Sequence, residues 1–289
     1  MVSFDYVEPE SLEEACALLD QHGDEARLIA GGTALLIWLR QRLLHPRVVI
    51  SLAKIPHLSD VRFDKKGGLR IGAATCHRDI ELSADVRRHY PLLYETFRKV
   101  AQPRIRNMGT IGGNLCQGDP LTDPGASLIA LDAEVTLMST KGKRTLPVED
   151  FFVDYYETAL RPGEILTEIR VPVPLDGLKC AHIKFTPRSE EDFATVGVAL
   201  TLRQRDGLCE DLRLALNSVG PKILRARKAE ELLRGQRVNN ELIRALAEAA
   251  SAEADPMEDV RGSAEYKREM VKVMVRRAVQ QALREFPKG

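Results

Sequence analysis

Residues 109–123, GTIGGNLCQGDPLTD, constrain this chain more than any other stretch. Glycine permits positive φ and lets another backbone or a ligand approach closely, because no Cβ intervenes. Successive N–H groups exposed by such a turn form a concavity suited to an anion. A threonine or asparagine beside it can orient whatever binds. A tight turn with a glycine bulge at a sheet edge satisfies the same residues. On this stretch alone both readings stand.

A second glycine pair adds weight to the ligand reading. Residues 27–30 read as a buried strand running into Gly31-Gly32-Thr33. Thr33 is a suitable N-cap for a helix over 34–44, with Leu35, Leu36, Leu39 and Leu43 on one side. His45-Pro46 stops that helix before a strand at 47–52. Gly31-Gly32 therefore sits where a strand hands over to a helix N-terminus, a place that favours an anion. The turn reads G-G-T-A-L-L, without the G-x-G-x-x-G spacing of a Rossmann site, and the next strand ends in Ser51-Leu52 with no acid for a ribose. No P-loop pattern is present either.

The rest of the chain organises around these two segments. Ser11 and Glu14 stand at capping-box spacing before an amphipathic helix that Gly23 ends. Strands are expected at 60–63 and 69–73, joined by a hairpin, and at 133–139, 145–148 and 165–171. Pro172-Val173-Pro174 with Asp176-Gly177 marks a domain boundary. Beyond it, alternating patterns at 180–185, 194–203 and 212–218 predict three antiparallel strands. Helices follow at 224–233 and 240–252, and a long one is capped by Ser263.

Composition excludes several classes. Lys plus Arg and Asp plus Glu both total 42, so no net field draws the chain to nucleic acid or to an acidic membrane. The longest apolar runs are too short to span a bilayer. No signal-peptide core follows Met1, so a cytoplasmic location is expected. The 5 cysteines stand singly and the 6 histidines apart, which offers no metal-ligand spacing. Two anion cradles without an acid–base constellation describe a cofactor holder, in which the hard chemistry belongs to the cofactor.

Four segments together carry a resemblance: Leu28-Ile29-Ala30-Gly31-Gly32-Thr33, Gly109-Thr110-Ile111-Gly112-Gly113-Asn114, the run Lys184…Arg188…Asp192-Phe193-Ala194, and Arg261-Gly262-Ser263-Ala264-Glu265-Tyr266. In order and spacing the whole chain resembles the FAD-binding medium subunit of molybdenum hydroxylases, the carbon monoxide dehydrogenase and xanthine dehydrogenase family. The resemblance implies an α+β fold. A two-part FAD-binding domain of the vanillyl-alcohol oxidase (PCMH) type, residues 1–175, would hold FAD between subdomains 1–55 and 56–175. A smaller C-terminal domain, 176–289, would carry the three-stranded antiparallel sheet and helices.

By the same resemblance, Leu28, Ile29, Ala30, Gly31, Gly32, Thr33, Ala34 and Leu35 wrap the FAD diphosphate. Gly109, Thr110, Gly112, Gly113 and Asn114 form a second wall. Asp123 reaches the adenosine part, while Leu166 and Lys184 lie near the flavin ring. As bare residues, Leu166 also reads as strand core and Lys184 as a surface ion pair. FAD would be non-covalent, with the molybdenum cofactor and [2Fe–2S] clusters confined to a large and a small partner subunit in a dimer of heterotrimers. Electrons would leave for an acceptor such as NAD or a quinone. Two alternatives are a stand-alone FAD-dependent reductase of the same fold and a scaffold subunit that has lost FAD. Asp119, Phe193 and Cys116 depart from the family pattern near the flavin.

Overall fold

Short apolar strands alternating with amphipathic helices close the N-terminus into a parallel sheet. In the computed structural model, which describes residues 2–284, strands Asp5–Val7, Val48–Ser51 and Ala26–Ile29 lie side by side in that order. Parallel neighbours need crossovers, and helices Leu12–His22 and Leu35–Arg40 supply them. Ser11 Oγ accepts the Glu14 N–H at 3.1 Å, as a capping box requires. The Glu14 carboxylate takes the N–H of Glu10 at 2.9 Å, one residue upstream of the expected reciprocal bond. Thr33 is not a cap. The next helix starts at Leu35 with Ala34 in the cap position, and it ends at Arg40 rather than near Leu44.

A five-stranded antiparallel sheet follows, in the order Val61–Asp64, Gly68–Gly72, Ile165–Val171, Glu134–Ser139, Gly142–Pro147. Its register places Leu166 opposite Leu137, and Ile169 opposite both Val135 and Ile71. Positions 166 and 169 would fall on opposite faces of a regular strand. A register shift between Leu166 and Glu168 adds one residue and returns both to the buried face. Helices between the second and fourth of these strands, including Pro91–Phe97, Ile111–Cys116 and Asp123–Ala130, contribute to the same core.

The C-terminal sheet has four antiparallel strands where three were expected: Lys179–Phe185, Val196–Arg205, Leu208–Asn217 and the two-residue Leu224–Arg225. Pro221 does not end it. After Pro221 the chain turns back and Leu224 pairs with Leu216, so the helix expected from 224 begins only at Arg227. This sheet is buried on both faces. Ala181, Val198, Leu200, Leu214 and Leu216 share a core with helices Asn240–Glu253 and Ala264–Leu283. The alternate residues Cys180, Ala199 and Ala215 belong to the other core, where helix Asp123–Ala130 packs on the sheet. Small side chains there let the helix approach, and Thr201 Oγ1 donates to the Ala130 carbonyl at 3.0 Å. No described helix is long and apolar enough to cross a membrane.

Candidate functional site

The two glycine segments meet. A Cβ on Gly31 would lie 1.7 Å from the Met108 carbonyl oxygen, so only glycine lets the first turn rest on the second segment. On the far side of that contact, Thr33 Oγ1 lies 3.4 Å from the Cβ position of Gly109. Residues 28–35 are all half-buried, with one side against protein and the other open. Gly32 adopts φ +69°, and the chain turns there without finding acceptors. None of the N–H groups of residues 31–35 hydrogen-bonds within the described residues. Buried or half-buried N–H groups normally find a partner. A row of open donors on one backbone turn is the arrangement that binds an anion. The following helix has only 6 residues, so its dipole adds little to what the N–H groups supply.

The second segment is built differently. The concavity of free N–H groups expected over 109–114 is not formed, because the chain folds there into the short helix Ile111–Cys116. Gly109 N–H bonds Ile105 O at 2.7 Å, Ile111 bonds Thr75 O at 3.0 Å and Gly112 bonds Ala73 O at 2.8 Å. Thr110 is the N-cap, its Oγ1 accepting from Gly113 at 3.2 Å. Gly112 is required for packing: a Cβ would come within 2.6 Å of Ala73 Cβ and O. Gly113 is exposed, with only Thr110 Oγ1 near its Cβ position, at 2.9 Å. Asn114 Oδ1 is buried without a hydrogen-bond partner. This wall therefore offers a flat glycine face and one amide.

Asp123 and Lys184, expected at the adenosine and flavin ends of one cofactor, are in direct contact. Asp123 Oδ2 lies 2.9 Å from Lys184 Nζ, with side chains only 6% and 4% exposed. They cannot sit at opposite ends of an extended dinucleotide. Lys184 is thus in a buried ion pair, not a surface one, and its ammonium also donates to Lys99 O at 2.8 Å. Burial pushes the Asp123 carboxyl above the usual range, and Lys184, Asn217 and Lys99 draw it back. Leu166 is 3% exposed on the inner face of the five-stranded sheet beside Leu137, so its side chain is sheet core.

Comparison with known proteins agrees with this architecture. Residues 2–174 match the family described as the FAD binding domain in molybdopterin dehydrogenase, and residues 181–282 match the CO dehydrogenase flavoprotein C-terminal domain. The carbon monoxide dehydrogenase medium chain of Hydrogenophaga pseudoflava is 38% identical over 279 residues, covering 96% of each chain. The glyceraldehyde dehydrogenase medium chain of Sulfolobus acidocaldarius is 36% identical, over 95% of this chain and 96% of that one. A solved carbon monoxide dehydrogenase from Hydrogenophaga pseudoflava, lacking the Mo-pyranopterin moiety of its molybdenum cofactor, superposes with TM-score 0.94 at 40% identity over 98% of both chains. The chain belongs to the FAD-binding medium subunits of the molybdenum hydroxylases.

It is accordingly an oxidoreductase subunit with an FAD-binding domain. Two of the four segments meet in space, beside the loop that follows the second glycine segment. The Arg261 guanidinium lies 5.7 Å from the ring centroid of Phe193; burial raises the Asp119 carboxyl, and the Leu121 N–H and the Arg261 charge only partly draw it back. Asp119 Oδ1 accepts the Leu121 N–H at 2.9 Å, so this residue closes its own loop. Phe193 is 47% exposed. Burial pushes the Cys116 thiol up to about 12, which disfavours its thiolate form. Trp38, on helix Leu35–Arg40, meets Tyr156 edge-on, centroids 6.1 Å apart, and so contacts the turn between the short paired strands Phe152–Asp154 and Glu157–Thr158.

Sequence reasoning missed Ala73, Met108 and His77. His77 is buried in a structural role: its ring carbon lies 3.2 Å from the Gly109 Cβ position, and its backbone N–H donates to Gly109 O at 2.9 Å. Burial, reinforced by Arg106, lowers its pKa to about 4. No pattern in the sequence marks Ala73 or Met108, because Met108 acts through its backbone carbonyl and Ala73 through its carbonyl and a single methyl group.

Proposed function

We propose that this chain binds FAD non-covalently and relays electrons within a molybdenum hydroxylase. The observation that carries this reading is the row of unpartnered N–H groups over residues 31–35, resting on the 108–110 segment. A diphosphate needs many donors and no nearby carboxylate. Leu28, Ile29, Ala30, Gly31, Gly32, Thr33, Ala34 and Leu35 hold it on one side. Thr110, Gly113 and Asn114 face it from the other, with Gly109 and Gly112 setting the approach of the backbones. Lys184 turns its remaining N–H toward the cofactor, and Asp123 serves through Lys184. Residues 1–175 make the FAD-binding domain, with the cleft between 1–55 and 56–175, and 176–289 close it from the C-terminal side. When bound, FAD supplies the ability to take electrons singly and release them as pairs.

The partners in this reading are a small subunit with [2Fe–2S] clusters and a large subunit with the molybdenum cofactor. Medium chains that share more than a third of their residues with this one are named for carbon monoxide and glyceraldehyde. Substrates so unlike each other fit a chain that does not contain the substrate pocket. Purified protein should be yellow and release its flavin into the supernatant on acid precipitation. A colourless chain that takes up no added FAD would overturn the reading. Co-purification with the iron–sulfur and molybdenum subunits separates the complex from a stand-alone reductase.

A further inference from the structure

Three consecutive backbone carbonyls, those of Lys99, Val100 and Ala101, are each taken by a buried cation. Arg106 Nη1 donates to Val100 O at 3.0 Å and to Ala101 O at 2.7 Å. Lys184 Nζ donates to Lys99 O at 2.8 Å. These carbonyls lie in the turn that follows helix Pro91–Phe97, where no repeating structure supplies donors. Arg106 is only 8% exposed, and its Nε is spent on Glu81 Oε2 at 2.9 Å. Glu81, on helix His77–Leu82, takes Arg78 on its other oxygen at 2.8 Å. One guanidinium therefore ties a helix to a turn, its fork shared between a carboxylate and two carbonyls.

That turn is strained. Ala101 has φ +41°, in the left-handed region that a Cβ disfavours. Such a conformation persists only where neighbouring groups over-determine it. The two carbonyls that Arg106 holds belong to the peptide units on either side of the Ala101 Cα. From there the short helix Pro103–Arg106 leads into the second glycine segment. The Met108 and Gly109 N–H groups both bond Ile105 O, at 3.1 and 2.7 Å, and the His77 N–H bonds Gly109 O at 2.9 Å. The Met108 carbonyl is thus suspended between the Ala101 turn and the helix of His77, the two places that Arg106 joins. It occupies the Cβ position of Gly31.

We propose that Arg106 is a positioning residue of the cofactor cleft: by tying the left-handed Ala101 turn to Glu81, it sets where the Met108 carbonyl, and with it the 31–35 turn of open donors, comes to rest. The consequence for cofactor affinity rests on the FAD reading above; Arg106 itself acts through the backbone of 108–109. Without the guanidinium, the Val100 and Ala101 carbonyls lose their donors and Glu81 keeps only Arg78. Ala101 then relaxes to negative φ and swings the helix that follows.

The test uses the full chain as wild type, Arg106→Gln, Ala101→Gly, the two combined, and Glu81→Gln. FAD titrated by fluorescence quenching should bind Arg106→Gln roughly tenfold more weakly, the size of one lost charge-assisted hydrogen bond. In FAD-free protein, hydrogen exchange should speed up about tenfold at the Gly109 and His77 amides and hold steady at Ile169 in the five-stranded sheet. Ala101→Gly alone should stay close to wild type. Combined with Arg106→Gln it should restore most of the lost affinity and protection, because glycine keeps a positive φ without being held there. A general loss of stability would not be relieved by an added glycine. Glu81→Gln, which keeps an acceptor but not the charge, should weaken FAD about threefold. It carries the test, with the same Ala101→Gly rescue, if Arg106→Gln does not fold. Wild-type FAD affinity in the folded variant, a loss that Ala101→Gly does not relieve, or exchange that changes equally at Ile169 or not at all overturns the proposal. A wild type that binds no FAD, while the exchange pattern and its rescue hold, sinks the cofactor reading and leaves the positioning role standing.

Discussion

The two glycine segments resemble each other in sequence and do opposite jobs in the fold. Over residues 31–35 the backbone N–H groups are open, and Gly31 is needed because Met108 O occupies its Cβ position. Over 109–114 nearly every N–H is taken by Ile105, Ala73, Thr75 or Thr110, and the glycines serve contact. One segment presents donors, while the other presents a surface against which donors can close. Glycine content marks both places without distinguishing them, because permissive φ and a missing Cβ are separate properties of the same residue.

The largest test of this contrast is Gly31→Ala. Its methyl group would meet the Met108 carbonyl, a backbone atom that cannot swing aside. Overpacking of this kind costs about 1–3 kcal/mol, and the two segments would be forced apart. Flavin absorbance per chain should fall to background and the melting temperature should drop. A variant with full flavin content would show that the contact between the segments is not needed.

Acid should expose the second segment selectively, since His77 lies beneath Gly109 and no titratable side chain belongs to the first turn. His77 is lowered from 6.5 to about 4. Between those values the unfolded chain binds the extra proton, so this contribution is fully present above pH 6.5 and is lost as pH falls through the window. The loss is of order 3 kcal/mol by linkage. His182, lowered to about 3 by burial, acts in the same direction from the sheet face on which helix Asp123–Ala130 packs. The difference between wild type and His77→Gln in chemical denaturation at pH 7 and pH 4.5 isolates the His77 share. No difference would mean that the histidine is hydrated or paired in solution.

Gly112→Val and Gly113→Val separate packing from binding within one short helix. The first places a side chain against Ala73 and should destabilise the fold by about 1–3 kcal/mol. The second meets only Thr110 Oγ1 and should leave the melting temperature nearly unchanged, while FAD affinity falls at least about tenfold, or ~1.4 kcal/mol. Equal thermal losses in the two would erase the distinction. The smallest effect is expected for Asn114→Ala, which removes a buried oxygen that has no partner in the chain. Stability should hold, and FAD affinity should weaken by one hydrogen bond, about 1 kcal/mol. If the melting temperature falls instead, the amide serves the fold.

Much of this was legible in the residues. The capping serine at 11, the breaker at Gly23, the hairpin at 64–68 and a strand near 194–203, seen as Val196–Arg205, follow from local chemistry, and the structure repeats them. Where local reading failed, a distant partner had decided. Thr33 is not the N-cap expected: the turn at Gly31 rests on the distant Met108 carbonyl, and Ala34 holds the cap position. Leu224 joined a sheet because Leu216 lay beside it. Lys184 became buried because an aspartate on a helix of the other core reaches it.

The sequence by itself determined which segments matter, the family and the class of cofactor, because those depend on residue type and order along one chain. Only the tertiary structure decided which backbone donors remain free, that Asp123 and Lys184 share one place, and that Arg106 reaches back to the Val100 and Ala101 carbonyls. The physical reason is the same each time. Whether a hydrogen-bonding group is spent or available depends on what lies within about 3 Å of it, and that neighbour usually comes from elsewhere in the chain.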